Sequence, residues 1–167
     1  MHLIRPDAAH FSSYLAAVSE YRAHHVEKYR FLDPANVFTL AERFRMGVGL
    51  PEHYVKTDYL WLVEGREFLG EIAVRHSLTG SLLRYGGNIG YGVRYSHWGR
   101  GIGTQMLAFA LDYTRENLPL ERVLITCDDD NIGSARVIEK NGGVLQDRIG
   151  NVIGGKAIIT RRYWIEL

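Results

Sequence analysis

The segment Gly99-Arg100-Gly101-Ile102-Gly103-Thr104 carries the clearest chemical signal in the sequence. Glycines at alternate positions let a backbone approach a ligand without Cβ clashes. The segment joins an apolar stretch to a helical one. Free N–H groups at such a helix start attract phosphate, and the helix dipole helps. Arg100 adds positive charge. A diphosphate-bearing ligand follows on these grounds. The ATP phosphate loop ends in Gly-Lys-Ser/Thr, whereas Gly103 is followed directly by Thr104. The dinucleotide fingerprint G-x-G-x-x-G does not fit Gly99, Gly101 and Gly103 either. Taken alone, Gly-x-Gly-x-Gly is also met by a tight strand-to-helix turn.

The elements that must position this loop are legible on both sides of it. Met1–Arg5 reads as a short strand, and Asp7 can cap a helix through Phe11, Tyr14, Leu15 and Val18. A second helix is expected over Val37–Met46, after a charged and aromatic connection, Arg22–Pro34. Tyr59–Val63, Phe68–His76 and Asn88–Val93 read as strands of an antiparallel meander, with a loop at Ser77–Ser81. A strong helix follows the glycine loop, with Met106, Leu107, Ala110, Leu111 and Leu118 near one face and Pro119 as its stop. Val123–Cys127 reads as a buried strand. Asp129, Asp130 and Asn131 offer caps for a helix containing Ala135, Val137 and Ile138, which Asn141-Gly142-Gly143 ends. Val144–Arg148 and Ala157–Ile165 close the fold as strands. The β-α-β-α-β order after Asn88 implies an α/β fold with a mixed, partly parallel sheet flanked by helices.

Composition narrows the function classes. The chain has 167 residues, 46% hydrophobic and 23% charged, which suits one domain over residues 1–167 and excludes a wholly disordered chain. A net charge of +1 gives no broad field for nucleic acid or an acidic membrane. The single cysteine, Cys127, forms no internal disulfide and has no cysteine partners for structural zinc, so a reducing cytoplasm is expected and no metal site. The N-terminus carries no long apolar stretch, and none later reaches the length of a spanning helix.

The stretch Val93–Thr104, with Trp98-Gly99-Arg100-Gly101-Ile102-Gly103 at its turn, resembles the acetyl-CoA motif of the GNAT N-acetyltransferase superfamily. That motif reads Gln/Arg-x-x-Gly-x-Gly/Ala. Trp98 stands where Gln or Arg is commonest, as in ribosomal-protein-type branches, and it would contribute backbone and apolar bulk rather than charge. The stretch Leu124–Gly143, containing Asn131-Ile132-Gly133-Ser134, is similar to the second GNAT segment. The stretch from Gly70 to Leu167 resembles a bacterial branch of predicted acetyltransferases. The resemblance implies a GNAT-like splayed central sheet, with pantetheine inserted between the strand before the loop and the strand ending at Cys127. Tyr91 and Val93 would face or pair with it. Gly99, Arg100, Gly101, Ile102, Gly103 and Thr104 would hold the diphosphate, and Asn131 and Ser134 would lie along the CoA arm.

Direct acetyl transfer to an amine needs a base, donors for the oxyanion and, for the leaving thiolate, a proton source. Glu71, in a strand and expected half-buried, is the leading base candidate, ahead of His76. A salt bridge or solvated strand position is its alternative. Many GNAT enzymes carry a proton-donating tyrosine in the helix after the Asn; the matching position here is Ile138. Tyr91, Tyr163 or water can replace it; Tyr91, on the CoA-facing strand, is preferred, set against a plain packing role. Asp128–Asp130 reads more simply as a capping cluster, His24 and His25 as surface residues near the cleft, and Cys127 as a small apolar residue. Tyr54, Tyr59 and Trp61 read as core or cleft walls. The resemblance therefore implies an acetyl-CoA-dependent N-acetyltransferase acting on a primary amine of a small molecule or protein N-terminus. The competing reading is a non-catalytic acyl-CoA-binding sensor or regulator, favoured by the missing tyrosine. Residues Arg22–Tyr54 are expected to shape the acceptor site, and a homodimer is compatible with the family.

Overall fold

The computed structural model describes residues 1–26 and 31–167. Eleven α-helices and strands follow one another along them: β1 (His2–Ile4), α1 (Phe11–Ala23), α2 (Val37–Met46), β2 (Thr57–Glu64), β3 (Glu67–Arg75), β4 (Ile89–Val93), α3 (Ile102–Asn117), β5 (Arg122–Asp128), α4 (Ile132–Lys140), β6 (Val144–Ile153) and β7 (Lys156–Glu166). A single π-helical turn, Leu82–Gly86, lies between β3 and β4, where the sequence signals only a loop. The seven strands form one sheet in the order β1-β2-β3-β4-β5-β7-β6. Strands β2 to β4 are the expected antiparallel meander, and β1 adds antiparallel to the outer edge of β2. Strand β5 lies parallel to β4, because α3 carries the chain back to the same end of the sheet. The β6–β7 hairpin is longer than its sequence pattern indicates, since β6 continues to Ile153.

Each face of the sheet has its own core. On one face, Met106, Leu107, Ala110 and Leu111 of α3 and Ala135 and Ile138 of α4 pack on Ile72, Ile89 and Ile125. On the other, Tyr14 and Ala17 of α1 and Val37 of α2 pack on Trp61, Val63 and Phe68. A β-bulge sets which side chains go where. Leu62 stands opposite Gly70 and Val63 opposite Phe68, so Leu69 is the extra residue of β3. Leu69 and Gly70 both serve the α3 face, and Phe68 shares the α1 face with Glu71.

Helix α1 starts one turn later than Asp7. His10 is its N-cap position, and Asp7 accepts from the His10 backbone N–H at 3.0 Å. The His10 ring bridges two acceptors, Asp7 Oδ1 through Nδ1 at 2.7 Å and the Gly65 carbonyl through Nε2 at 3.0 Å. With both ring nitrogens protonated the ring donates to both, which ties α1 to the β2–β3 turn. Helix α2 ends at Gly47, whose left-handed φ of 69° makes the terminating turn.

Candidate active site

The sheet opens between β4 and β5. They share a single register pair, Ile89 with Ile125, and diverge beyond it. Gly87 and Asn88 fasten the closed end. Asn88 donates its backbone N–H to the Leu124 carbonyl at 2.6 Å, and its side-chain Oδ1 accepts from the Leu124 N–H at 2.9 Å. Gly87 has a φ of 65°, and a Cβ there would meet the Leu124 carbonyl at 2.5 Å. Only glycine fits this position. The sequence shows Gly86-Gly87 as a turn, but the clamp on β5 depends on contacts 36 residues away.

Backbone alternation decides what lines the opening. The Asn88 carbonyl and the Arg94 N–H bond to β3, through Arg75 and Leu69. Even-numbered residues of β4 therefore face β3, and Tyr91 and Val93 turn their N–H and C=O groups toward β5. On β5, Leu124 faces β4 and Asp129 bonds to Ile159 of the other side, so Thr126 faces the opening from across. The side chains alternate as well. Tyr91 and Val93 pack on the α3 face, and Gly90 and Gly92 leave the opposite face of β4 without side chains.

The glycine turn caps the open end. Gly99 and Gly101 have φ values of 75° and 78°, and a Cβ at either would meet nothing within 4 Å. Their requirement is conformational. Gly103 differs, because a Cβ there would press Val137 at 3.2 Å and Val93 at 3.5 Å. It lets α3 start hard against β4 and α4. Gly101 is the N-cap position of α3, and among the described residues no side chain caps this helix start; the Thr104 N–H turns back to the Gly101 carbonyl at 3.1 Å, which leaves the Ile102 and Gly103 N–H groups to face a ligand. Arg100 is exposed beside them, and Ile102 and Thr104 lie in the first turn. The arrangement suits an anion such as a diphosphate.

Asn131 caps α4, its side chain accepting from the Ser134 N–H at 3.1 Å. Ser134 Oγ in turn meets the Tyr91 hydroxyl at 2.9 Å, bridging β4 to α4. Burial pushes the Tyr91 pKa well above its ordinary value, so the hydroxyl keeps its proton. Cys127 lies nearby, its thiol pushed up by burial to about 11. Its charged neighbours are Arg161, Asp128 and Asp129, with no histidine among them in the described residues. Such a thiol is a poor nucleophile.

Glu71 is 0% exposed, more deeply buried than the half-buried position expected of it. Its Oε2 accepts from Trp61 Nε1 at 3.1 Å and its Oε1 from the Leu32 N–H at 3.3 Å. It stands opposite Gly92 in the register of β3 with β4. His76 is occupied elsewhere, its Nε2 2.7 Å from Asp58. Asp129 is taken by Arg161 and Arg148. His24 stacks on Tyr95, ring centroids 3.8 Å apart. Within Arg22–Pro34, and so within the expected acceptor region, residues 27–30 lie outside the described residues.

A family model for an acetyltransferase (GNAT) domain matches residues 2–144. The chain belongs to the GNAT acetyltransferase family. Solved structures of GNAT enzymes share its fold. RimL, a ribosomal α-N-protein acetyltransferase in complex with coenzyme A, superposes with a TM-score of 0.72 at 18% identity, over 99% of this chain and 93% of that one. MccE, a microcin self-immunity acetyltransferase in complex with acetyl-CoA and AMP, gives 0.71 at 14% identity, over 99% and 91%. The spermidine N-acetyltransferase SpeG of Vibrio cholerae gives 0.69 at 12% identity, over 99% and 95%. No curated protein matches the chain in sequence.

Other features of this GNAT protein lie beyond the reach of its sequence pattern. Ile138 is fully buried, and a Cβ on Gly143 would meet its Cγ2 at 2.4 Å. The end of α1 grips the end of β4. Tyr21 donates its hydroxyl to the Val93 carbonyl at 2.5 Å, and Trp98 donates Nε1 to the same oxygen at 2.7 Å. Trp98 thus acts through its indole N–H as well as through its bulk. Glu20 accepts from Arg94 at 2.6 Å and 2.8 Å, and from the Ser96 N–H at 3.1 Å. Among the described residues, no helix is long and apolar enough to cross a membrane.

Proposed function

We propose that the protein transfers the acetyl group of acetyl-CoA directly to a primary amine, on a small molecule or a protein N-terminus. The observation that carries this is the opening between β4 and β5, closed at one end by Asn88 and capped at the other by the uncapped start of α3. A pantetheine arm fits such an opening as an added strand, and the diphosphate fits the turn Gly99–Thr104. Tyr91, Val93, Trp98, Asn131 and Ser134 surround that path. An amine reaches the thioester from the glycine face of β4, where Glu71 serves as base, directly or through water. The amine nitrogen bonds to the acetyl carbon, the C–S bond breaks, and the thiolate takes a proton from Tyr91. The Tyr91 hydroxyl is placed for that task by its hold on Ser134, while its burial makes it a weaker acid than a free tyrosine.

The acceptors named for structural neighbours, a ribosomal protein and spermidine, mark the range to screen. A reducing compartment suits the free Cys127. Calorimetric titration with acetyl-CoA, with ATP and NAD as controls, tests the reading. Selective binding followed by amine-dependent thiol release supports it; absence of binding removes it. Binding without turnover on any amine supports the second reading, an acyl-CoA-binding regulator, which the core position of Ile138 favours.

A further inference from the structure

The geometry points to Tyr21 and Trp98 as positioning residues for the acetyl group, acting through the carbonyl of Val93. This rests on the acetyltransferase reading above, in which the thioester lies against the open edge of β4. That edge offers the N–H and C=O groups of Tyr91 and Val93. An N–H there can receive the thioester oxygen as charge builds on it. A free carbonyl beside it would oppose that charge.

The structure removes this opposition at Val93. A carbonyl oxygen has two lone pairs, and here both are used, by the Tyr21 hydroxyl at 2.5 Å and by Trp98 Nε1 at 2.7 Å. The other end of the same peptide unit, the Arg94 N–H, donates to the Leu69 carbonyl at 2.8 Å. The plane between Val93 and Arg94 is therefore held on both sides and cannot turn. The two donors come from separate elements, Tyr21 from α1 and Trp98 from the glycine turn. Tyr21 is 5% exposed and keeps its proton, its pKa pushed up to about 12 by burial. Arg94 and Ser96 hold Glu20, the residue before Tyr21, so the donor on α1 is itself fixed. Neither residue need touch the substrate. Their effect is to orient the last peptide unit of β4 and to quiet its oxygen.

The test uses acetyl-CoA labelled with 13C at the carbonyl carbon, and needs no acceptor. Bound to the wild-type protein, the thioester C=O stretch in isotope-edited infrared spectra should lie below its position in free acetyl-CoA. In Tyr21→Phe, and further in Tyr21→Phe/Trp98→Phe, it should move back toward the free position when each protein is saturated with acetyl-CoA. Trp98→Phe alone should give a smaller return; this side chain is 50% exposed, so the variant keeps its fold. An unshifted band in the bound wild-type protein, or an unchanged band in the double variant, overturns the inference. Loss of acetyl-CoA affinity in Tyr21→Phe also overturns it, because that residue, which lies outside the binding path, would then serve binding. A wild-type protein that does not bind acetyl-CoA defeats the acetyltransferase reading itself, and this inference with it.

Discussion

Replacing Glu71 by glutamine separates the chemistry of its carboxylate from its place in the fold. The carboxylate offers one oxygen to Trp61 Nε1 and the other to the Leu32 N–H. Glutamine has the same shape but only one oxygen. Whichever way the amide turns, one of the two donors meets an NH2 group. A buried donor left unsatisfied costs ~1–3 kcal/mol. For a chain of this size that is a fall in Tm of roughly 2–12 °C. The cost to activity should be far larger, because removing a general base lowers turnover by about a hundredfold or more. Acetyl-CoA affinity should stay within about twofold, since Glu71 lies on the face of the sheet opposite Tyr91 and the first turn of α3. Thermal unfolding, calorimetry and thiol release with spermidine and N-terminal peptides read the three effects. Full turnover in Glu71→Gln refutes the base. An unchanged Tm refutes the paired hydrogen bonds.

Two further outcomes follow from the glycine turn and from the start of α1. Gly101→Ala meets no steric obstacle but must hold φ near 78°, at ~1–2 kcal/mol for an L-residue. If that strain is met in the bound conformation, the Kd for CoA rises roughly 5- to 30-fold; Gly101→Asn, which tolerates this region better, should lose less, and equal affinity in all three proteins defeats the conformational account. His10 is raised above its ordinary pKa of 6.5 by its hydrogen bond to Asp7. Burial pushes Asp7 up, but the hydrogen bonds from His10 outweigh it and leave the carboxyl below 3.8. The raised histidine gives its full stability below pH 6.5 and loses it as pH rises through the folded value, while Asp7 gives way as pH falls through its own. Wild-type Tm should therefore drop above pH 6.5 more steeply than that of His10→Asn, and parallel profiles would show that the ring carries no charge in the folded state.

Much of this was open to reading because it is local. Gly99 to Thr104 sit together in sequence, the apolar spacing of α3 repeats within one helix, and α2 covers Val37–Met46 as its pattern indicates. Glu71 was legible as a strand residue, but its depth was not. Strict alternation from Phe68 puts Phe68 and Glu71 on opposite faces, and the bulge at Leu69 puts them on the same one. That bulge follows from the pairing of β3 with β2, which no residue in β3 announces. The grip of α1 on β4 joins Tyr21 to Val93 and Glu20 to Arg94, pairs 72 and 74 residues apart. Tyrosine and glutamate at a helix end carry no mark of such partners. Trp98 was readable as a departure from the usual Gln or Arg, and its indole N–H explains what the tryptophan adds.

Those distant contacts also explain how a sheet can stay open. Separating β4 from β5 forgoes the ladder bonds that a parallel pair would make after Ile89, and an unpaired buried backbone group costs about as much as a lost hydrogen bond. A strand that merely frayed would leave those groups to water and would pack poorly. Here the edge is held at chosen points and left open between them. Asn88 supplies two bonds at the apex, Tyr21 and Trp98 satisfy the Val93 carbonyl, and the Tyr91 side chain reaches Ser134 on α4. Among the described residues, no buried side-chain nitrogen or oxygen lacks a partner. The opening is thus held by specific bonds from β5, α1, the glycine turn and α4. Loss of any of these should be felt at the others, because they meet on the five residues of β4.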